Sequence, residues 1–299
     1  MLFLSKPMVT VGVCVKNSAL TIRETIESII SQDYPHELME IIVVDGYSSD
    51  GTVDIIKKIL LNSDIKTRIF YENKGLGYAR QIVVNNSIGD YIIWVDGDMI
   101  LPRNFITKQV DFMLKNPKVG VAKARYSIAE KENLVSYLEN VEFVVAFNNT
   151  KNSQFRVLGT SGCIYRSSAL KHVRGFDTKI KGVGEDMDIE YRLRRAGWKL
   201  CISSASFYEK RRRTWQELWE EYRWHGKGGA YIFKKYGKNA DLFPRKSLFE
   251  ILFSKLIDSI LAYRLLHHKK VFLLPLHYMF KRIAWIYGFL EGYLGSSVQ

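Results

Sequence analysis

Apolar residues fall in two rhythms along this chain. Short, nearly unbroken runs rich in Val and Ile predict buried strands, and apolar positions recurring every three or four residues predict one-sided helices. Val9 to Val15 is such a run. It leads into Asn17 and Ser18, which can cap a helix carrying Ile22, Ile26, Ile29 and Ile30 on one face. Ile41 to Val44 repeats the arrangement, with Asp45, Gly46, Ser48, Ser49, Asp50 and Gly51 as the loop and Ile55, Ile56, Ile59 and Leu60 as the helix face. A third unit has a strand near Arg68 to Tyr71, a glycine loop from Asn73 to Gly77, and a helix ending before Gly89. Tyr91 to Val95 is an almost continuous apolar strand, as expected in the middle of a parallel sheet covered on both faces.

Strands alternating with helices predict βαβ units, an α/β fold and a mostly parallel sheet. Ligands on such sheets sit at the carboxyl ends of the strands, so the three loops and Asp96 to Asp98 are expected around one crevice. Further on, the pattern predicts a helix from about Leu134 to Phe147 and a strand near Gly162 to Arg166. A helix from Asp186 to Ala196, closed by Gly197, and a strand near Lys199 to Ile202 follow. Thr214-Trp215-Gln216-Glu217 is a capping box. The helix it opens carries Trp215, Leu218, Trp219 and Tyr222 on one face, directly after the basic run Lys210 to Arg213. That stripe suits either a membrane interface or a face packed on the rest of the fold. Residues 1–230 are expected to form the α/β domain and 231–299 a basic, apolar helical region.

Composition narrows the class without choosing the chemistry. With 47% apolar residues the chain can build a core, and its six scattered prolines mark no linker. Lys and Arg number 44 against 31 Asp and Glu, a formal charge of +13. Such a surface attracts polyanions, whether nucleic acid, phospholipid headgroups, or nucleotide and lipid phosphates. Cys14, Cys163 and Cys201 lie far apart with no metal-type spacing, which fits a reduced cytosolic setting. The start, MLFLSKPMV, lacks the pattern of a signal peptide. Val271 to Phe280 and Ile283 to Leu290 are split by Lys281 and Arg282, and neither run reaches the roughly 18–20 residues a spanning helix needs. Peripheral attachment to the cytoplasmic leaflet is the expectation instead.

Acidic clusters are the candidate chemistry. Asp96-Gly97-Asp98 sets two carboxylates astride a glycine just after the fourth strand. Mg2+ or Mn2+ sites commonly combine one or two carboxylates with substrate phosphates, although a polar turn has the same sequence. Asp45 and Asp50 can accept hydrogen bonds from a nucleobase or ribose, or act as turn and cap residues. Lys74 and Arg80 can neutralise a diphosphate, Arg80 by a two-pronged grip, or lie on the surface. Gly184-Glu185-Asp186-Met187-Asp188 puts three carboxylates in the first turn of a helix, where the dipole favours negative charge. Asp188 with Arg192 and Glu190 with Arg194 form i,i+4 pairs. The same dipole keeps Asp186 ionised and able to take a proton.

Five blocks occur in order: Val-Gly-Val-Cys-Val-Lys-Asn (11–17), Ile-Ile-Val-Val-Asp-Gly-Tyr-Ser-Ser-Asp-Gly-Thr (41–52), Asn-Lys-Gly-Leu-Gly-Tyr-Ala-Arg (73–80), Gly-Asp-Tyr-Ile-Ile-Trp-Val-Asp-Gly-Asp (89–98) and Gly-Glu-Asp-Met-Asp-Ile-Glu-Tyr-Arg-Leu-Arg-Arg-Ala-Gly-Trp (184–198). Together they resemble glycosyltransferase family 2, inverting enzymes of the GT-A fold, over roughly the first 230 residues. The resemblance implies a GT-A (Rossmann-like) domain with a helical C-terminal extension, a UDP- or GDP-linked sugar donor, and Mn2+ or Mg2+ as cofactor. It also implies that Asp45 contacts the base, that Arg80 lies near the diphosphate, and that Asp96 helps hold ribose and metal while Asp98 binds the metal directly. Val15, Asn17, Gly75 and Gly97 fall in the implied donor loops. Asp186, with Glu185 beside it, matches the catalytic base. The segment 159–163, with Ser161 and Gly162, matches the floor beneath donor sugar and acceptor.

Two departures from the family pattern stand out. Relatives often carry a histidine able to join the metal site where this chain has Tyr208 followed by Glu209, which makes Glu209 a candidate oxygen ligand. Processive members carry Gln-x-x-Arg-Trp where this chain has Glu220-Glu221-Tyr222-Arg223-Trp224, which favours transfer of a single sugar. The expected reaction is metal-dependent, inverting transfer to a hydroxyl of a glycan or lipid-linked acceptor, in cell-surface polysaccharide, glycolipid or glycoprotein glycan synthesis, beside an anionic membrane surface. A polyprenyl phosphate acceptor, nucleotidyl transfer, and non-catalytic membrane or nucleic-acid binding are the alternatives. Carboxylates in a cleft repel nucleic-acid phosphates, so nucleic acid is not expected as a partner.

Overall fold

The computed structural model describes residues 6–128, 132–148, 157–237 and 248–295. Eight strands form one sheet: β1 (Val9–Val15), β2 (Met39–Asp45), β3 (Lys66–Tyr71), β4 (Tyr91–Trp94), β5 (Met99–Ile100), β6 (Val119–Ser127), β7 (Cys163–Arg166) and β8 (Lys199–Glu209). Their spatial order is β3-β2-β1-β4-β7-β6-β8-β5. The pairs β1–β2, β1–β4 and β2–β3 are parallel, as the alternation of strand and helix requires. β7 then runs antiparallel to both β4 and β6, β6 and β8 are parallel, and β5 is antiparallel to the end of β8. The apolar runs of β1, β2 and β4 are buried on both faces because helices cover both sides of the sheet.

The helices are α1 (Ile22–Ile30), α2 (Thr52–Leu60), α3 (Leu76–Asn86), α4 (Phe105–Lys115), α5 (Leu134–Asn148), α6 (Ser167–His172), α7 (Glu185–Arg195), α8 (Trp215–Tyr236), α9 (Leu248–Leu266) and α10 (Leu274–Leu294). The expected capping of α1 by Asn17 or Ser18 side chains does not occur. The Ser18 carbonyl accepts from Thr21 and Ile22 N–H at 3.0 and 2.9 Å, and the Asn17 side chain instead accepts from Ser49 N–H at 3.0 Å in the neighbouring loop. The capping box of α8 forms as expected, Glu217 N–H donating to Thr214 Oγ1 at 3.1 Å. β8 runs seven residues past its expected end at Ile202, and this extension meets β5.

Pattern reading missed α4 and β6. β6 is hidden because Lys123 and Arg125 interrupt its apolar run, although Lys123 is completely buried.

The C-terminal helices close against the sheet domain. The expected boundary between residues 230 and 231 falls inside α8, which continues to Tyr236. The aromatic stripe of α8 packs on α10: Trp215 lies 5.0 Å and Trp219 5.5 Å from the Phe280 ring, edge to face. α10 runs through Lys281 and Arg282, the residues that divide its two apolar runs, and Lys281 turns inward to Glu139 and Glu142 of α5, at 2.6 and 2.7 Å. Leu138, Val141 and Val145 of α5 form a second apolar cluster with Ala262, Val271 and Leu274.

Glycines set the approach of α8 to α10. A Cβ on Gly288 would stand 1.8 Å from the Arg223 carbonyl oxygen, and one on Gly226 2.1 Å from that of Trp285. Backbone cannot yield as a side chain can, so Gly288→Val is expected to force the pair apart. The predicted loss is about 3 kcal/mol, read as a lower urea midpoint at unchanged slope.

Candidate active site

The sheet brings most of the singled-out residues to one open cavity of about 1300 Å³. Val15 ends β1 and Asn17 follows it, Asp96, Gly97 and Asp98 follow β4, and Glu209 ends β8. Antiparallel pairing of Met99 with Glu209, and the bond from Lys210 N–H to the Asp98 carbonyl at 2.9 Å, set Glu209 beside Asp98. Gly97 packs closely there, since a Cβ would stand 3.0 Å from side-chain atoms of both Val15 and Ser18.

This end of the cavity is crowded with negative charge. Burial, with Glu209 and Asp96 alongside, holds the Asp98 carboxyl well above the usual carboxylate range. Burial likewise raises Glu209, against the pull of Arg211, whose Nη1 donates to it at 2.6 Å. Asp98 Oδ1 and Glu209 Oε2 are buried without a hydrogen-bond partner. Orphaned carboxylate oxygens in an acidic cluster fit a hard divalent cation. Among the described residues, however, the set of possible ligands with all donor atoms within 4.8 Å is Glu139, Glu142 and His277, and Asp96, Asp98 and Glu209 are spaced more widely than that. Lys281 already lies between Glu139 and Glu142, so the charge balance of that other set is internal.

On the facing wall, Glu185 and Asp186 open α7. Glu185 is buried and ion-paired with the buried Arg80 of α3, whose other amino group lies 3.6 Å from Asp96. Arg80 thus lies in the cavity wall as expected, but its charge is already shared between two carboxylates. Asp186 is half-buried and belongs to the cavity. Its Oδ2 would stand 3.7 Å from a Cβ on Gly159, so the loop of Gly159, Thr160 and Ser161 lies directly against it.

Sequence reasoning missed the group that secures this loop. Glu190 does approach Arg194, its expected i,i+4 partner, at 3.7 Å. It is in fact buried, and its Oε1 accepts from both Leu158 and Gly159 N–H at 2.9 Å. Asp188 likewise does more than pair with Arg192: it also accepts from Tyr236 at 2.5 Å, tying α7 to α8. Only an acid recurring on the inner side of α7 hinted at either role.

Other expected residues stand outside the cavity lining. Asp45 is 1% exposed at the end of β2, accepting from Ser48 N–H at 2.8 Å and Ser48 Oγ at 2.6 Å. Asp50 caps locally, bonding Ala19 N–H at 2.9 Å and Thr52 Oγ1 at 2.5 Å. Gly75 packs against the Lys181 backbone, and Gly162 lies under the Phe207 ring while donating to the Trp94 carbonyl at 3.0 Å. Lys74 is exposed over the Tyr78 ring, at 4.5 Å. The basic run is neither simply solvated nor free: Lys210 pairs with Glu24, Arg211 with Glu209 and Arg212 with Glu221, and all of them border the cavity. The three thiols are unpaired, and burial pushes Cys14 and Cys163 up to about 12.

A profile described as Glycosyl transferase family 2 matches residues 10–174, more than half of the chain. The chain belongs to glycosyl transferase family 2. Curated relatives of this family 2 chain include a poly-beta-1,6-N-acetyl-D-glucosamine synthase of Staphylococcus epidermidis, 23% identical over 253 residues, which covers 80% of this chain and 59% of the relative. The chain therefore spans about three fifths of the length of that relative. Its fold is that of the mannosyltransferase PcManGT from Pyrobaculum calidifontis, solved with GDP-Man and Mn2+ (TM-score 0.68, 17% identity, 98% of this chain and 89% of that one). It also matches S. aureus TarS 1–349 in complex with UDP-GlcNAc (TM-score 0.56, 16% identity, 96% and 91%). Both likenesses identify the α/β GT-A architecture of this family 2 chain, with its helical C-terminal part.

Glu190 gives a pH signature. Burial, reinforced by Asp186, pushes its carboxyl up to about 8 despite the Leu158 and Gly159 N–H donors. Between about 4.5 and about 8 the folded chain therefore holds a proton that the unfolded chain has lost, and stability falls as pH rises through that window. Glu190→Gln keeps the Oε1 acceptor without the charge. Its melting temperature is expected to lose less than wild type between pH 5 and pH 8, measured by paired thermal melts across roughly those values.

Proposed function

We propose that this chain transfers a single sugar from a nucleotide diphosphate donor, UDP- or GDP-linked, to an acceptor hydroxyl with inversion at the anomeric carbon. What carries the reading is one cavity with the unpartnered oxygens Asp98 Oδ1 and Glu209 Oε2 on one wall and Asp186, at the start of α7, on the other. Membership of family 2, a relative named as a synthase of an N-acetylglucosamine polymer, and fold neighbours solved in complex with GDP-Man or UDP-GlcNAc support a sugar nucleotide as donor. Glu220 in place of the glutamine of processive members supports one transfer per encounter, and Arg223 of the same segment is already held by Glu291 at 2.7 Å.

In this mechanism Asp186 accepts the proton of the acceptor hydroxyl as its oxygen attacks the anomeric carbon, and the nucleoside diphosphate leaves from the opposite side. The place of Asp186 in the first turn of α7, beside the side-chain-free Gly159, leaves the carboxylate open to the cavity. Glu185 does not compete for the proton, because Arg80 holds it, and the same guanidinium fixes Asp96. Asp98 and Glu209, with Asp96 nearby, would hold Mn2+ or Mg2+, which when bound supplies positive charge beside the leaving diphosphate.

Lipid-linked acceptors are favoured by the outer faces of the C-terminal helices. Phe253, Leu256, Ile257 and Ile260 of α9 and Leu276, Ile283, Ile286 and Leu290 of α10 are exposed, close in sequence to exposed Arg264, Lys269 and Lys270. No helix among the described residues is long and apolar enough to cross a membrane. Such faces suit attachment to an anionic leaflet, on the cytoplasmic side in this reading, with 231–299 as the attaching region.

A panel of UDP- and GDP-sugars with Mn2+ should give one donor that raises the melting temperature and releases the nucleoside diphosphate. Asp186→Asn should lower transfer by about 10²- to 10⁴-fold while leaving that thermal shift intact. Full transfer by the variant would remove Asp186 as base and point to a phosphate acceptor, whose oxygen is already ionised. In flotation, the protein should rise with anionic liposomes at low salt and less so at high salt, and a failure to associate in either condition would refute the attachment.

A further inference from the structure

Lys123 is a charge in an unexpected place. It lies on β6 in the middle of the sheet, 0% exposed, between Ala122 and Ala124, which are equally buried. Among the described residues no carboxylate is ion-paired with it. Its ammonium is enclosed by the rings of Tyr126, Phe147 and Phe207, at 4.8, 5.5 and 5.5 Å. It donates to the main-chain carbonyl of Ser161 and lies 3.4 Å from Ser161 Oγ. Burial pulls the ammonium down, but Tyr126, Cys163 and Glu209 outweigh that and keep it above its ordinary value.

Burying a charge without a carboxylate partner is costly, and a core strand would be better served by an apolar side chain of the same length. The geometry offers a return for that cost. A Cβ on Gly159 would stand 4.0 Å from Lys123 Nζ and 3.7 Å from Asp186 Oδ2, so the ammonium and the carboxylate flank the same glycine. Two buried groups grip this short loop: Glu190 takes the N–H groups of Leu158 and Gly159, and Lys123 takes the carbonyl of Ser161. An acid holding donors at one end and a cation holding an acceptor at the other leave the segment between them little freedom.

We infer that Lys123 is a positioning residue: its caged ammonium fastens the Ser161 main chain and holds the Gly159–Ser161 loop against Asp186, at the expense of fold stability. It does not line the cavity and touches no substrate. The kinetic consequence rests on the glycosyl-transfer reading above, whereas the mechanical one does not.

Lys123→Met tests both. Methionine fits the aromatic cage and removes the buried charge, so the variant should melt at or above the wild-type temperature. Its amides at 158–162 should nevertheless exchange with deuterium faster than in wild type. With the donor found by the panel, kcat should fall about 10²-fold, the scale of a misplaced reacting geometry, with donor KM changed less than about threefold. A lower melting temperature, unchanged exchange at 158–162, or kcat within twofold of wild type would each overturn the inference. Should Lys123→Met not fold, Lys123→Leu, which likewise removes both charge and donor, is judged by the same three criteria. If wild type transfers no sugar from any donor, the glycosyl-transfer reading fails, and exchange and melting still decide the role of Lys123.

Discussion

The guanidinium of Arg80 is the point on which the site's geometry turns. It extends from α3 beneath the end of β4, where it meets the Glu185 carboxylate from α7 and approaches Asp96 from the loop after β4. Those three elements come from distant parts of the sequence, and 105 residues separate Arg80 from Glu185. With Glu185 2% exposed and Arg80 4% exposed, neither charge can be satisfied by water, so each requires the other. The start of α7 is thereby fixed relative to the parallel sheet, and Asp186, the next residue, inherits its direction. A buried ion pair is a poor source of net stability but a strict one of geometry, since every other arrangement leaves a desolvated charge alone.

The same logic runs through the rest of the cavity wall. Lys281 neutralises Glu139 and Glu142 where α10 crosses α5, and Lys235 and Tyr236 satisfy Asp188 at the end of α8. Each link joins a helix of the C-terminal part to an acid in or near the wall. Asp98 and Glu209 differ: Arg211 holds one oxygen of Glu209, but Asp98 Oδ1 and Glu209 Oε2 are buried without a hydrogen-bond partner, and Asp98 bears the charge of Glu209. These unpartnered oxygens coincide with the carboxyl ends of the strands, where α/β sheets bind ligands.

Much of this was legible in the sequence. The parallel half of the sheet follows from unbroken apolar runs and glycine-rich loops, and the positions of Asp96, Asp98 and Asp186 follow from the strand and helix ends they occupy. What escaped notice depends on distant partners. Lys123 and Arg125 disguise β6, since a polar residue inside a strand reads as exposed until the cage that accepts it is known. The i,i+4 pair of Glu190 with Arg194 was legible, but not its hold on a loop 31 or 32 residues away. Lys281 looked like a break between two apolar segments, when its acids lie on another helix. Asp45 shows the converse: a plausible ligand by position, it is already engaged by Ser48.

One architectural detail bears on how the chain can be handled. Tyr222, Trp224 and His225 of α8, Lys255 of α9 and Lys281 of α10 border the same cavity as the strand-end carboxylates. A fragment trimmed to the sheet half, the usual shortcut to a tractable crystallisation target, would therefore be an enzyme with a missing side wall. It would leave Glu139 and Glu142 stripped of their counter-charge and expose the apolar patch around Val141 to solvent.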